Sequence, residues 1–243
     1  MIEAALITGR AEVTLQAFDD PTPAPAGVVV DIQLCGICGT DLHAYQSGVP
    51  YNPALCGHEW TGTISAVGSE VASTTGPERN RLNEGDRVVV AVPPACGRCE
   101  ACRAGQNERC VTVFLVSIGR DPLAPVHGGF APRVAVGADR VVKVDPALSV
   151  TQAAQIEPAT VAFHAVRQTQ PRLGDLAVVQ GAGPIGLTTM QWVVAAGAGQ
   201  VLVVEPNEAR RAMAAELGAT LTSTPDEARA MIDDHVGPEA VAV

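Results

Sequence analysis

The sequence has few aromatic residues, few basic residues and no apolar run long enough to cross a membrane. Aromatic residues make up only 3% of 243 residues, so the core must be built from Val, Ala, Leu and Ile. The formal net charge of −10 argues against nucleic acid as a partner, because phosphate binding needs a basic surface. The N-terminus lacks the basic and apolar regions of a secretory signal. We therefore expect a cytoplasmic protein with reduced cysteines and no membrane contact.

The densest cluster of metal-binding residues is the segment CGRCEACRAGQNERC. Its cysteines, Cys96, Cys99, Cys102 and Cys110, follow a C-x2-C-x2-C-x7-C spacing. Four thiolates this close together suit a tetrahedral structural zinc site. A pair of disulfides is the alternative, but two bridges in so short a segment would be cramped. The acidic charge also argues against a nucleic-acid-binding zinc finger.

The first part of the chain, residues 1–155, has the pattern of β structure joined by turns. Runs rich in β-branched residues occur at 27–35, 61–68, 86–92, 133–137 and 140–145. Gly, Pro, Asn and Asp separate these runs. The pattern predicts a β-rich domain over 1–155, with the cysteine-rich lobe at 93–112.

The remaining residues, 156–243, follow an alternating pattern. Helical spacing runs from Val150 to Gln168, with Pro158 in a first helical turn. Strands are then predicted at 176–180, 201–205, 219–223 and 240–243, and helices at 183–197, 207–218 and 225–235. Alternating elements with nearly continuous apolar strands predict a parallel α/β sheet, the beginning of a doubly wound domain.

A glycine-rich turn follows the strand predicted at 176–180. The segment GAGPIG has the G-x-G-x-x-G spacing and opens a helix, which is the context that a dinucleotide-binding turn requires. Glu205 ends the next strand, where its carboxylate can accept hydrogen bonds from a ribose and would repel a 2′-phosphate. The pattern therefore predicts NAD binding, with NADP less expected; a ligand-free strand–helix turn is the alternative. The predicted cofactor-binding residues are Gly181, Gly183, Pro184, Ile185, Gly186 and Glu205.

A second group of ligand-type residues lies in CGICGTDLH and CGHEW. Cys38, His58 and a carboxylate would give three protein ligands and one open position, as in catalytic zinc sites. Glu59 and Glu157 are the candidate carboxylates. A lone histidine in a turn is more often structural, and Cys35 with Cys38 could belong to another metal site.

The order of these motifs resembles the zinc-containing medium-chain alcohol dehydrogenases. CGICGTDLH, GHEW, the four-cysteine lobe, IEP and GAGPIG follow one another as in that family, over essentially the whole chain. The resemblance implies a β-rich domain of the chaperonin-10 fold, a Rossmann domain and an active site in the cleft between them. It also implies two zinc ions per chain and a homo-oligomer, a dimer or tetramer, for the full-length form.

The resemblance assigns roles to individual residues. Cys38 and His58 match the first two ligands of the catalytic zinc, and Glu59 either ligates the metal or lies behind it. Glu157 matches a position where ethanol-type members carry cysteine. A glutamate there resembles the sorbitol, butanediol and threonine dehydrogenase branch.

Two further residues match the proton path of the family. Thr40 corresponds to the hydroxyl that touches the substrate oxygen, and His43 to the histidine that passes the proton onward. The implied function is hydride transfer between NAD and a secondary alcohol, polyol or vicinal diol, with a small-molecule alcohol or ketone as substrate.

The chain is shorter than this resemblance implies. A complete dinucleotide fold has six strands, whereas this sequence predicts three and the start of a fourth. We expect a C-terminal truncation of roughly a hundred residues at about 30 residues per βαβ unit. A catalytically inactive zinc- and nucleotide-binding remnant is therefore the alternative function. The two zinc constellations argue against a zinc-free quinone reductase.

Overall fold

A computed structural model of the chain describes residues 1–71, 81–91, 95–117 and 125–236. The chain divides into two compact units, Met1–Glu157 and Pro158–Val243. The strand predicted at 240–243 lies outside the described residues. Within the described ranges, no helix is both long enough and apolar enough to cross a membrane.

The first unit is built on antiparallel strands. They are β1 (Ile2–Gly9), β2 (Glu12–Phe18), β3 (Gly27–Gly36), β4 (Glu59–Val67), β5 (Arg87–Val90), β6 (Arg133–Gly137) and β7 (Val141–Lys143). Five of them form one sheet in the order β6-β3-β4-β5-β7, and β1 pairs with β2 separately. The runs predicted between 27 and 145 are therefore strands, as expected.

The core of the five-stranded sheet consists mainly of β-branched side chains. Val28, Val30, Ile64, Val88 and Val134 are all buried in one cluster. Val28 and Val30 lie on the same face of β3 because side chains alternate along a strand. A protein with so few aromatic residues thus fills this core with valine.

Several helices begin within the described residues of the first unit. They are α1 (Gly39–Ser47), α2 (Glu100–Arg103), α3 (Val111–Ser117), α4 (Val150–Ala154) and α5 (Ile156–Thr169). The single helical stretch predicted from Val150 to Gln168 is divided at Gln155 into α4 and α5. Pro158 explains the division, because proline has no N–H to donate to the carbonyl four residues earlier. Pro158 lies in the first turn of α5, as the sequence predicted.

The second unit has a parallel sheet in the order β10-β9-β8. Its elements are β8 (Leu176–Gln180), α6 (Pro184–Ala195), β9 (Gln200–Val204), α7 (Glu208–Glu216), β10 (Leu221–Ser223) and α8 (Pro225–Val236). Val179 and Val203 share a buried cluster with Met190 of α6 and Ala214 of α7. The alternating pattern predicted these elements to within about two residues at each end.

Candidate metal and nucleotide sites

The four cysteines of the lobe lie together with their sulfur atoms facing one another. The four Sγ atoms are all within 4.8 Å of one another. The Cys99–Cys102 distance is 3.4 Å and the Cys96–Cys102 distance is 4.0 Å. A zinc–sulfur bond of about 2.3 Å gives a tetrahedral edge of about 3.8 Å, so the four thiols fit this metal.

The disulfide alternative does not hold for this lobe. All seven cysteines of the chain are free, and the sulfur separations of 3.4 and 4.0 Å far exceed a bond. Backbone N–H groups of Arg98 and Cys99 lower the pKa of Cys96. Burial, followed by the neighbouring Cys99 thiol, raises the pKa of Cys102. Several thiolates at such distances repel one another, so the cluster favours a bound cation.

A second group of close ligand atoms comes from two segments of the first unit. One ligand atom each of Cys38, His58 and Glu59 lies within 4.8 Å of the other two. Cys38 is the N-cap of α1, and Glu59 is the first residue of β4. The structure therefore brings together three of the four residues considered for this site.

The histidine of this group is held in one orientation by the turn that precedes it. His58 Nδ1 lies 3.0 Å from the carbonyl oxygen of Leu55. A carbonyl can only accept, so Nδ1 carries the proton and Nε2 keeps the lone pair. This is the tautomer in which Nε2 is available to a metal ion.

The carboxylate of Glu59 lies over a residue without a side chain. Gly36 is opposite Glu59 in the register between β3 and β4. A Cβ atom on Gly36 would lie 2.5 Å from Glu59 Oε2. The absence of that atom gives the carboxylate the space it occupies near Cys38.

Glu157 is not a member of this close group. It lies in the first turn of α5 and is partly buried. Burial raises the pKa of its carboxyl group, the charge of Glu59 raises it further, and His58 opposes the change. Glu59 and His58 therefore both act electrostatically on Glu157. The close ligand group nevertheless contains Glu59 and not Glu157.

Asp41 is a buried acid that sequence reasoning missed. Its side chain is 2% exposed. One oxygen accepts a 2.9 Å hydrogen bond from the Cys38 backbone N–H, and the other accepts a 2.9 Å bond from the Tyr51 hydroxyl. The same oxygen is 3.8 Å from His58 Nδ1. An acid at the third position of a helix whose N-cap is a cysteine was the available signal.

The proposed proton-path residues lie on the exposed side of α1. The Cys38 thiol donates a long hydrogen bond of 3.7 Å to Thr40 Oγ1. Thr40 and His43 are both exposed.

Cys35 and Cys56 lie outside the close ligand group. The Cys35 thiol donates to the Gly36 carbonyl, and Cys56 is buried beside the backbone of Ile7.

A glycine-containing loop supports the turn that carries His58. The N–H groups of Gly128, Gly129 and Phe130 donate to carbonyls of residues 53–57 over 2.9, 2.7 and 3.1 Å. A Cβ atom on Gly128 would lie 2.3 Å from one of those carbonyl oxygens. The sequence pattern indicated no such support, because the two segments are about seventy residues apart.

The glycine-rich turn of the second unit connects β8 to α6. Gly181 has a φ of 92°, which favours glycine, and Gly183 is the N-cap of α6 with Pro184 following it. A Cβ atom on Gly186 would lie 2.0 Å from the Gly181 carbonyl oxygen, whereas one on Gly183 would meet nothing within 4 Å. Gly186 is thus required for packing, and Gly183 leaves open space at the helix N-terminus.

Glu205 contacts this turn directly. Its carboxylate is buried and accepts hydrogen bonds from the backbone N–H groups of Ala182 and Asn207, over 2.8 and 2.9 Å. These bonds lower the pKa of Glu205. Arg211 donates to the carbonyl oxygens of Glu205 and Pro206 over 2.7 and 2.8 Å. Each of the two Glu205 carboxylate oxygens thus accepts one backbone N–H.

The fold and the two ligand groups define a dehydrogenase-type protein with a metal-binding β domain and a dinucleotide-binding α/β unit. The family model of the alcohol dehydrogenase GroES-like domain matches residues 24–146, and that of the zinc-binding dehydrogenase matches residues 184–243. The chain belongs to the zinc-binding alcohol dehydrogenase family. The predicted family and the predicted fold class, a GroES-like domain followed by part of a Rossmann domain, are confirmed.

Several relatives resemble the chain over most of its length. It is 33% identical to a sorbitol dehydrogenase of Bacillus subtilis, over 90% of this chain and 60% of the relative. A solved Escherichia coli alcohol dehydrogenase with NADH is 31% identical with a TM-score of 0.80, covering 96% of this chain and 66% of that one. The 2R,3R-butanediol dehydrogenase structure from Bacillus subtilis is 30% identical with a TM-score of 0.74, covering 98% and 68%. The chain thus spans about 60% of the curated sorbitol dehydrogenase.

Proposed function

We propose that this chain carries the metal-binding and NAD-binding parts of an oxidoreductase that transfers hydride between NAD and a secondary alcohol, polyol or vicinal diol. The observation that carries the proposal is the convergence of Cys38, His58 and Glu59, whose ligand atoms lie within 4.8 Å of one another. A thiolate, an imidazole and a carboxylate are the ligands of a catalytic zinc with an open position.

The residues of this group fit zinc in both donor type and arrangement. Cys38, His58 and Glu59 would hold the ion, with Glu157 as the alternative carboxylate because it is close enough for Glu59 to raise its pKa. When bound, zinc in such a site acts as a Lewis acid that lowers the pKa of an alcohol. The lobe cysteines, Cys96, Cys99, Cys102 and Cys110, would hold a second, structural zinc.

The chain's own side chains provide a route for the proton. Thr40 Oγ1 lies beside the Cys38 sulfur, where it can accept a hydrogen bond from an alcohol and donate one in turn. His43 is three residues further along α1 and exposed, and an imidazole exchanges protons readily with water. We assign Thr40 to contact with the substrate and His43 to proton transfer to solvent.

The turn at 181–186 and Glu205 form the proposed NAD site. The open space at Gly183 and the N-terminus of α6 suit a pyrophosphate, and the N-terminal end of a helix attracts anions. The Glu205 carboxylate favours ribose hydroxyls over a 2′-phosphate, so NAD is preferred to NADP. The solved Escherichia coli relative contains NADH, which supports a nicotinamide cofactor here.

Substrate class and assembly follow from the relatives. Sorbitol and butanediol dehydrogenases are among them, and both names denote polyol or diol substrates. We therefore propose a small vicinal diol or polyol as substrate. A homo-oligomer in the cytoplasm is part of the same proposal.

Metal content per chain tests this function. We expect two zinc ions in the wild-type protein, one in Cys38→Ser and two in Cys35→Ser, which changes a neighbouring thiol outside the ligand group. Reduction of NAD by sorbitol or butanediol should be lost on chelation. One zinc in the wild-type protein, with NAD binding but no turnover, would instead support an inactive remnant.

A further inference from the structure

We infer that Tyr51 is a positioning residue that fixes the distance between the two metal ligands Cys38 and His58. The inference rests on the proposed function, because it concerns the same metal site. The two ligands lie on different segments, α1 with its N-cap and the turn at 51–58 that leads into β4. A metal site built from two segments needs a link that holds them together.

Tyr51 and Asp41 make this link between the segments. The Tyr51 hydroxyl donates a 2.9 Å hydrogen bond to Asp41 Oδ1, and it is also 3.5 Å from the Leu55 carbonyl oxygen. Asp41 Oδ2 accepts from the backbone N–H of Cys38 over 2.9 Å. The chain of contacts therefore runs from the turn, through one phenol and one carboxylate, to the backbone of the first ligand.

Tyr51 and Asp41 also act on the orientation of the second ligand, His58. The Leu55 carbonyl, which the Tyr51 hydroxyl approaches, accepts the hydrogen bond from His58 Nδ1 over 3.0 Å. Asp41 Oδ1 lies 3.8 Å from that nitrogen. Without the phenol, the buried carboxylate would lose a neutral donor and compete with Leu55 for the His58 proton. The orientation of His58 would then change together with the position of Cys38.

The carboxylate has few other partners for its charge. Asp41 is 2% exposed, so water cannot replace a lost hydrogen bond. The charged and titratable groups that face it, by contact or electrostatic effect, are His58, Cys35, Cys56 and Tyr51. Among these, the Tyr51 hydroxyl is the one side-chain donor at hydrogen-bond distance in the described part of the chain.

Tyr51→Phe removes the hydroxyl while keeping the ring, which packs against a buried cluster that includes Leu6 of β1 and Ala44 of α1. The chain offers a matched control, because Tyr45 is its second tyrosine and lies on α1 with 37% exposure. The zinc affinity of the site formed by Cys38, His58 and Glu59 is measured by competition with a chromophoric chelator. Cadmium NMR then gives separate resonances for that site and for the four-cysteine site. The resonance of the four-cysteine site shows in each variant that the protein is folded.

We expect Tyr51→Phe to weaken zinc binding at the Cys38 site by roughly 10–100-fold, the range for lost second-sphere contacts. Its cadmium resonance should shift or broaden, while the four-thiolate resonance stays unchanged. Tyr45→Phe should remain within about twofold of wild type. In a double-mutant cycle, Tyr51→Phe should add little to Asp41→Asn, because both changes break the same link.

Two results would overturn the inference alone. One is a zinc affinity of the Tyr51→Phe protein within about twofold of that of Tyr45→Phe. The other is full additivity of the losses in zinc-binding free energy caused by Tyr51→Phe and Asp41→Asn. A wild-type protein that binds metal only at the four cysteines would overturn the proposed function, and the inference with it. A wild-type protein with two metals and an unaffected Tyr51→Phe variant would leave the proposed function standing.

Discussion

Glu205 Oε2 accepts a 2.8 Å hydrogen bond from the backbone N–H of Ala182, so the acid that directly follows β9 holds the glycine-rich turn after β8. The carboxylate therefore shapes the turn before any nucleotide arrives. A second hydrogen bond, from the Asn207 N–H, fixes Oε1, so both oxygens of the carboxylate are held by backbone N–H groups. The proposed ribose contact and the conformation of the turn thus depend on one side chain.

Replacing Glu205 should weaken NAD binding and lower stability in a pH-dependent way. Glu205→Gln places an amide nitrogen against one of two N–H donors, and we expect roughly tenfold weaker NAD binding by calorimetry. Because the folded pKa is lowered, the stabilising effect is present above the ordinary carboxyl pKa of about 4.3 and is lost as the pH falls through the lowered value.

The control for Glu205 is Glu216→Gln, which removes the same charge from the exposed end of α7. The thermal midpoints of Glu205→Gln and wild type should differ at pH 7 and converge in acid. A difference that persists unchanged through acid would show that the carboxylate charge is not responsible.

The two glycines of the turn should separate stability from nucleotide binding. Gly186→Ala puts a Cβ atom 2.0 Å from the Gly181 carbonyl oxygen, so we expect a loss of about 1–3 kcal/mol in unfolding free energy. Gly183→Ala meets nothing within 4 Å and should stay within about 0.5 kcal/mol of wild type. It should nevertheless weaken NAD binding at least about tenfold, since its methyl group occupies the space proposed for the pyrophosphate. Denaturant unfolding and calorimetry measure the two effects; unchanged NAD affinity in Gly183→Ala would argue against this site.

A methyl group on Gly36 should disturb the Cys38 metal site without unfolding the domain. Its Cβ would lie 2.5 Å from Glu59 Oε2, which is the far end of a flexible side chain and can move aside. We expect zinc binding at this site to weaken by about 10–100-fold. Gly39→Ala is the control because a Cβ there meets nothing within 4 Å. Equal zinc affinities for the two variants would exclude Glu59 as a ligand.

Zinc removal should destabilise the protein through the four-cysteine lobe. Metal bound only to the folded state adds about 4.1 kcal/mol when its free concentration is 1,000 times the dissociation constant. The thermal midpoint should therefore rise with zinc in wild type and in Cys35→Ser, and respond much less in Cys99→Ser. A midpoint independent of zinc in all three proteins would contradict a structural role for the metal.

Local motifs made several elements predictable. The spacing of Cys96, Cys99 and Cys102 places their thiols together within a few residues of chain, so no distant contact is needed to predict the cluster. The strand, glycine turn and helix around Gly183 follow from apolar runs and turn chemistry in the same way. Pro158 was correctly placed in a first helical turn, but the division of the helical stretch at Gln155 that goes with it was not predicted.

The choice between Glu59 and Glu157 could not be made from the sequence. Glu59 joins the close ligand group because the β3–β4 register sets it opposite Gly36, and register depends on pairing between distant segments. The third position of α1 was a local signal for Asp41, but its bond to Tyr51, ten residues away across a turn, does not follow from that position. Neither relationship has a periodicity that a sequence pattern can reveal.

The sequence by itself determined the family, the β-rich and α/β halves, the four-thiol cluster and the glycine turn. These depend on spacing and periodicity within short stretches, where chain geometry fixes which side chains meet. Only the tertiary structure shows that the Glu59 carboxylate lies within 4.8 Å of the ligand atoms of Cys38 and His58, and that Asp41 and Tyr51 connect the segments carrying them. Those contacts join residues on different segments, and the packing of the sheet and α1 brings the segments together.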